Sequence, residues 1–122
     1  MLNSITKETL DNEIDRLCNL FSQGYVEQVL NQSTELLKKF PDSVALNIIK
    51  GDANTKLQKF DAAITSYTNA IKLKPDFAVS HFNLGVAFQD KGEFDTALKS
   101  YKKAIAIKPD YLEAHYNMAV SF

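Results

Sequence analysis

The chain is 122 residues long, 45% hydrophobic and 24% charged, with a formal net charge of −1, which fits one domain of ordinary soluble composition. So small a charge gives no electrostatic case for nucleic acid or an anionic membrane surface. Cys18 is the only cysteine, so no intramolecular disulfide can form, no apolar run approaches a membrane span, and the polar start MLNSITKETLDNE lacks a signal-peptide core. A cytoplasmic location is the default expectation.

Residues 1–9 are polar, and Ser4 or Thr6 is expected to cap the first helix with a side-chain oxygen. Leu10, Ile14, Leu17, Cys18, Leu20 and Phe21 then recur at helical spacing, and Gly24 is expected to close that helix in the left-handed conformation. The second helix carries Val26, Val29, Leu30, Leu36, Leu37 and Phe40 and stops at Pro41, which cannot continue it. Val44 to Leu57 is the third, with Gly51 expected to pack against a neighbouring helix closely enough to offset about 1 kcal/mol of lost propensity. The fourth starts at Phe60-Asp61, with Asp61 as the expected N-cap and Ala63, Ile64, Tyr67, Ala70, Ile71 and Leu73 on its buried side. Phe77 to Lys91 and Phe94 to Lys108 repeat the scheme, and Tyr111 to Phe122 begins a seventh helix.

These elements recur with one period. Pro41, Pro75 and Pro109 are 34 residues apart, and the same offset carries Gly85 onto Gly51, Phe94 onto Phe60, Ala97 onto Ala63 and Tyr101 onto Tyr67. A fixed period over three copies marks a repeat array, in which each unit buries its apolar face on its neighbours. The units are about 10–43, 44–77, 78–111 and 112–122, the first irregular and the last incomplete. In the first, Val29 stands where the others have Ala63 and Ala97, so a wider or re-angled hairpin is expected. Tyr116, Met118, Val120 and Phe122 close the sequence with no second helix to cover them, and the expectation is a fragment of a parent with further repeats.

Leu84-Gly85, Phe88, Ala97, Tyr101 and Pro109 resemble the tetratricopeptide repeat (TPR) pattern, with His81 where that pattern prefers Trp. The resemblance covers about residues 10–122. It implies an all-α, right-handed superhelical solenoid of helix-turn-helix repeats, and a protein-binding scaffold with no catalysis of its own. The degenerate first unit, with its KKFPDS end, also resembles the N-terminus of bacterial multi-TPR proteins. Some of those carry a glycosyltransferase or sulfotransferase domain, which would make this segment a substrate-recruiting arm. A third reading is self-association through the uncovered last helix.

Nothing in the sequence calls for a cofactor or metal. His81 and His115 fill one slot of successive repeats, on the order of 10 Å apart, too far to share an ion. Cys18 reads as a small semi-buried side chain, and Lys72, Lys74 and Lys99 to Lys103 as a solvated outer face. No phosphate loop, nucleophile elbow or metal-spacing motif is present.

The resemblance places a peptide-binding groove along the first helices of the repeats. Its slots hold Ile14, Asp15 and Cys18; Ile48, Ile49 and Asp52; Phe82, Asn83 and Val86; and Tyr116, Asn117 and Val120, with Phe21, Thr55 and Gln89 one turn on. TPRs that clamp a partner's C-terminal carboxylate use Lys, Arg and Asn there. None of these slots holds Lys or Arg, so an apolar peptide or amphipathic helix is the expected ligand. Asn83 and Asn117 look like two rungs of the asparagine ladder of O-GlcNAc transferase-type arrays, able to hold a peptide backbone with donor and acceptor.

Overall fold

The computed structural model describes residues 7–122, so the expected caps at Ser4 and Thr6 lie outside the described residues. Seven α-helices follow in order: α1 (Lys7–Ser22), α2 (Val26–Lys39), α3 (Val44–Lys56), α4 (Phe60–Leu73), α5 (Ala78–Lys91), α6 (Phe94–Ile107) and α7 (Leu112–Ser121). There is no strand among the described residues, and the architecture is an all-α helical repeat solenoid. No helix is long and apolar enough to cross a membrane among those residues.

The turns repeat as the sequence does. Within each helix pair the chain reverses through a six-residue backbone bond: Tyr25 N–H to Leu20 O (3.0 Å), Lys59 N–H to Asn54 O (2.8 Å) and Glu93 N–H to Phe88 O (2.8 Å). Such a closure needs a left-handed residue. Gly24 (φ +92°) and Gly92 (φ +94°) supply it, and in the middle repeat Gln58 takes the same place at φ +62°. That is uncommon for a residue with a Cβ and costs about 1–2 kcal/mol. Between pairs, the C-caps Phe40, Lys74 and Lys108 donate to Leu36 O, Ala70 O and Ala104 O just before each proline. Ser43 caps α3 by accepting from Leu46 N–H at 3.1 Å. Asp61 does not cap α4. Lys59 holds the N-cap position without a side-chain bond, because the chain enters the helix directly from the left-handed turn. Asp61 sits in the first turn and pairs with Lys91 at 2.7 Å, tying α4 to the end of α5.

Each helix packs on the next, and α1 also touches α3 while α3 touches α5; no two even-numbered helices approach to that extent. The odd-numbered helices therefore converge on the inside of the curve and the even-numbered ones spread outside. Lys99, Lys102 and Lys103 of α6 are exposed, as expected of that outer surface. Leu73, expected on the buried side of α4, is 38% exposed at its frayed end.

Glycine and tyrosine set the packing inside the two regular repeats. A Cβ added to Gly51 would stand 2.5 Å from the Tyr67 ring, and one added to Gly85 2.6 Å from Tyr101. Both rings are almost fully buried, so each lies flat on bare backbone. The first repeat solves the same contact in reverse. Leu17 occupies the glycine slot and Ser33 the tyrosine slot, and both are fully buried. The volume moves from one helix to the other, a conserving exchange of the kind cores tolerate. With Val29 beside it, α1 and α2 have less close backbone approach than the later pairs, which fits the wider or re-angled hairpin expected from the loss of the small Ala.

The repeated histidine does more than fill space. His81 Nε2 and His115 Nε2 each lie 2.8 Å from the carbonyl oxygen of the proline six residues earlier, Pro75 and Pro109. His81 is buried, whereas His115 is exposed on α7.

Candidate functional site

The converging faces of α1, α3 and α5 enclose an open cleft of about 670 Å³. Phe21 of α1, Thr55 and Lys56 of α3 and Phe60 of α4 border it, with Phe82, Val86 and Asp90 of α5 opposite. Asp52, Gln58, Tyr67 and Asn83 complete the lining. Helical spacing explains the grouping: Asp52 and Lys56 are four apart on α3, as are Phe82, Val86 and Asp90 on α5, so each set forms one stripe.

Asp52 is the centre of the polar contacts. Its Oδ1 accepts from the Tyr67 hydroxyl and from Asn83 Nδ2 at 3.2 Å. Thr55 Oγ1 donates to Gly51 O at 2.9 Å and lies 3.4 Å from the Tyr67 hydroxyl. One repeat later the tyrosine chooses a different partner. Tyr101 OH donates to Gln89 Oε1 (2.7 Å), Gln89 Nε2 donates to Ser121 Oγ (2.7 Å), and Asn117 Nδ2 reaches the Tyr101 hydroxyl at 3.5 Å. Both rungs of the expected asparagine ladder thus reach back to the preceding repeat. The amide oxygen and second N–H of each have no protein partner among the described residues.

Burial raises the Asp52 carboxyl above the usual carboxylate range, and the Tyr67 hydrogen bond only partly opposes it. Burial, with the Asp52 charge beside it, holds the Tyr67 phenol protonated well above its ordinary range. Cys18 is raised first by partial burial and then by the charges of Asp15 and Asp52, which places α1 on the same acidic surface. A carboxyl whose pKa is higher in the folded chain weakens folding as pH rises through its unfolded value near 4. Asp52→Asn keeps an acceptor oxygen for Tyr67 and removes the charge. It should raise thermal stability at pH 7 and lose that advantage below about pH 4, as checked by melts across that range.

The sequence-derived groove slots divide into those that line the cleft, those that lie outside it, and those that belong to the core, with Phe82 shared between the first and the last. Asp52, Phe82, Asn83 and Val86 line the cleft, as do Phe21 and Thr55. Asp15 and Cys18 are exposed on α1, Cys18 more so than the semi-buried position expected. Gln89 and Asn117 form the next polar cluster along the array, while Tyr116 (66% exposed) and Val120 (63%) stand clear of it.

The third group belongs to the core. Ile49 and Phe82 are each only 9% exposed. Ile49 packs with Leu17, Val26, Val29 and Leu46, and Ile14 lies against the same cluster. Ile48 packs against Ala63, Tyr67 and Ala87. Phe82 presents one edge to the cleft, and its ring lies 5.1 Å from Tyr111 and 5.7 Å from Tyr101. These apolar slots hold neighbouring repeats together, so the groove is narrower and more polar than the residue types suggest. Lys56, Gln58, Phe60, Tyr67 and Asp90 complete it. Phe60 and Tyr67 recur as Phe94 and Tyr101 and so read as packing positions of the repeat, whereas Lys56 and Asp90 share one slot with unlike residues and give no repeat signal.

A family profile described as TPR repeat matches residues 51–92 and 88–122. No curated protein sequence matches the chain. Among solved structures, MamA is 26% identical with a TM-score of 0.78 over 85% of this chain, which spans 63% of the MamA chain. The first TPR of Spaghetti (RPAP3), bound to the HSP90 peptide SRMEEVD, is 20% identical with a TM-score of 0.82, over 86% of this chain and 83% of that one. An O-GlcNAc transferase mutant from Thermobaculum terrenum is 23% identical with a TM-score of 0.88, over 94% of this chain and 22% of its own.

Proposed function

The chain belongs to the tetratricopeptide repeat family, and we propose that it is a protein-interaction scaffold that binds a peptide or helix of a partner in its concave cleft. The observation that carries this is the cleft of about 670 Å³ where the first helices of three repeats converge. It sets apolar side chains (Phe21, Phe60, Phe82 and Val86) among polar groups, some fixed by hydrogen bonds, which suits a site that both buries and orients a ligand. Asn83 offers a backbone-reading amide, and the Asp52–Tyr67 pair holds the floor in place. That structures of the same fold bind HSP90 and HSP70 peptides supports a peptide ligand in general terms. The scaffold supplies binding only and no chemistry.

Thr55→Phe tests the location. Phe21 fills the equivalent slot of the first repeat, so the fold accommodates a ring there, and at position 55 it would fill the cleft without changing charge. Random twelve-residue peptides selected on the wild-type chain should bind this variant at least about tenfold more weakly, a loss of about 1.4 kcal/mol. Binders indifferent to it would move the site to another surface.

A further inference from the structure

The cleft also carries a chemical preference, an inference that rests on the peptide-binding reading above. Asp52 receives both of its hydrogen bonds on Oδ1, from Tyr67 and Asn83, which leaves Oδ2 without a protein partner among the described residues. Asp90 lines the same cleft from α5 and is exposed. Lys56, the one basic residue in the lining, is exposed and pairs with neither acid among the described residues. Phe21, Phe60 and Val86 line the same cleft as the two carboxylates. A partly desolvated carboxylate with one oxygen fixed and the other unpaired gains most from a donor that carries positive charge. Val86 and the edge of Phe82 suit an aliphatic stem, which Lys and Arg both have.

We propose that the cleft selects a peptide segment that sets a Lys or Arg side chain against Asp52, with apolar neighbours on the surrounding rings. Asp90 adds attraction from the far wall. An acidic peptide, such as the SRMEEVD segment bound by the first TPR of RPAP3, would bring like charge to Asp52 and Asp90 with Lys56 as the one basic residue in the lining to receive it. A second copy of the chain has basic residues in its Lys99–Lys103 stretch, but these lie on a helix of the outer surface, without apolar side chains extended beside them.

The test is selection of a displayed library of random twelve-residue peptides on the wild-type chain, with affinities then measured on Thr55→Phe and Asp52→Asn. Circular dichroism first establishes that both variants are helical. The expected result is a set of binders weakened by Thr55→Phe that share a Lys or Arg between apolar residues. These should lose about tenfold in affinity on Asp52→Asn, and losing that basic residue should cost a similar factor. Binders weakened by Thr55→Phe that lack a basic residue, or that ignore Asp52→Asn, would overturn the charge preference and leave the cleft as the site. Binders rich in Asp and Glu would overturn it in favour of an acidic tail. Binders indifferent to Thr55→Phe, or no binders at all, would overturn both readings.

Discussion

Gly85→Leu should unfold the third repeat, and Tyr101→Ser should restore much of what it loses. A Cβ at Gly85 already meets the Tyr101 ring at 2.6 Å. That ring is fully buried and is held by Gln89 and Phe82, so it cannot swing aside. Overpacking of this kind typically costs about 1–3 kcal/mol, and a leucine should exceed that range. Tyr101→Ser alone should lose about 3–5 kcal/mol by opening a cavity. Together the two changes recreate the buried Leu17–Ser33 pair of the first repeat. Urea denaturation of the four species should therefore give a favourable coupling of about 2–3 kcal/mol. Simple additivity of the two losses would mean that the first repeat is not a volume exchange of the others.

The second large effect falls on residues that the sequence places in the groove. Phe82→Ala with Ile49→Glu should abolish helicity, where a surface role would cost only binding. Removing the Phe82 ring should cost about 3–5 kcal/mol. A carboxylate at Ile49 would be buried among Leu17, Val26, Val29 and Leu46 with no partner, at a cost of several kcal/mol. A chain of 122 residues has roughly 6–18 kcal/mol in total, so little stability would remain. Circular dichroism at 25 °C reads the result directly. A helical, cooperatively melting double variant would return both side chains to the surface.

The contrast shows what the sequence could reveal. The 34-residue spacing of the prolines, with Gly, Ala and Tyr at matching offsets, reports the architecture because each of those residues is needed by local geometry. Gly51 and Gly85 admit a ring, and each proline follows a helix end. The groove is harder to read because one helix turn serves two purposes. Ile48 and Ile49 are adjacent and equally apolar, and both face neighbouring helices, while Asp52 three residues on faces the cleft. Burial by a neighbouring repeat is a property of the stack, which no single repeat records. The first repeat hid its equivalence because glycine and tyrosine became leucine and serine, a change that preserves volume and erases the motif. The missed cap at Asp61 has a similar origin: Gln58 carries the left-handed turn without the glycine that announces it elsewhere.

The most direct measurement is amide chemical-shift mapping of the labelled chain titrated with one selected basic peptide. The largest changes should cluster at Asp52, Thr55, Asn83, Val86 and Asp90, on the converging faces of α3 and α5, and should vanish in Thr55→Phe. Changes centred instead on the outer helices, for example along Lys99 to Lys103 of α6, would contradict binding in the concave cleft.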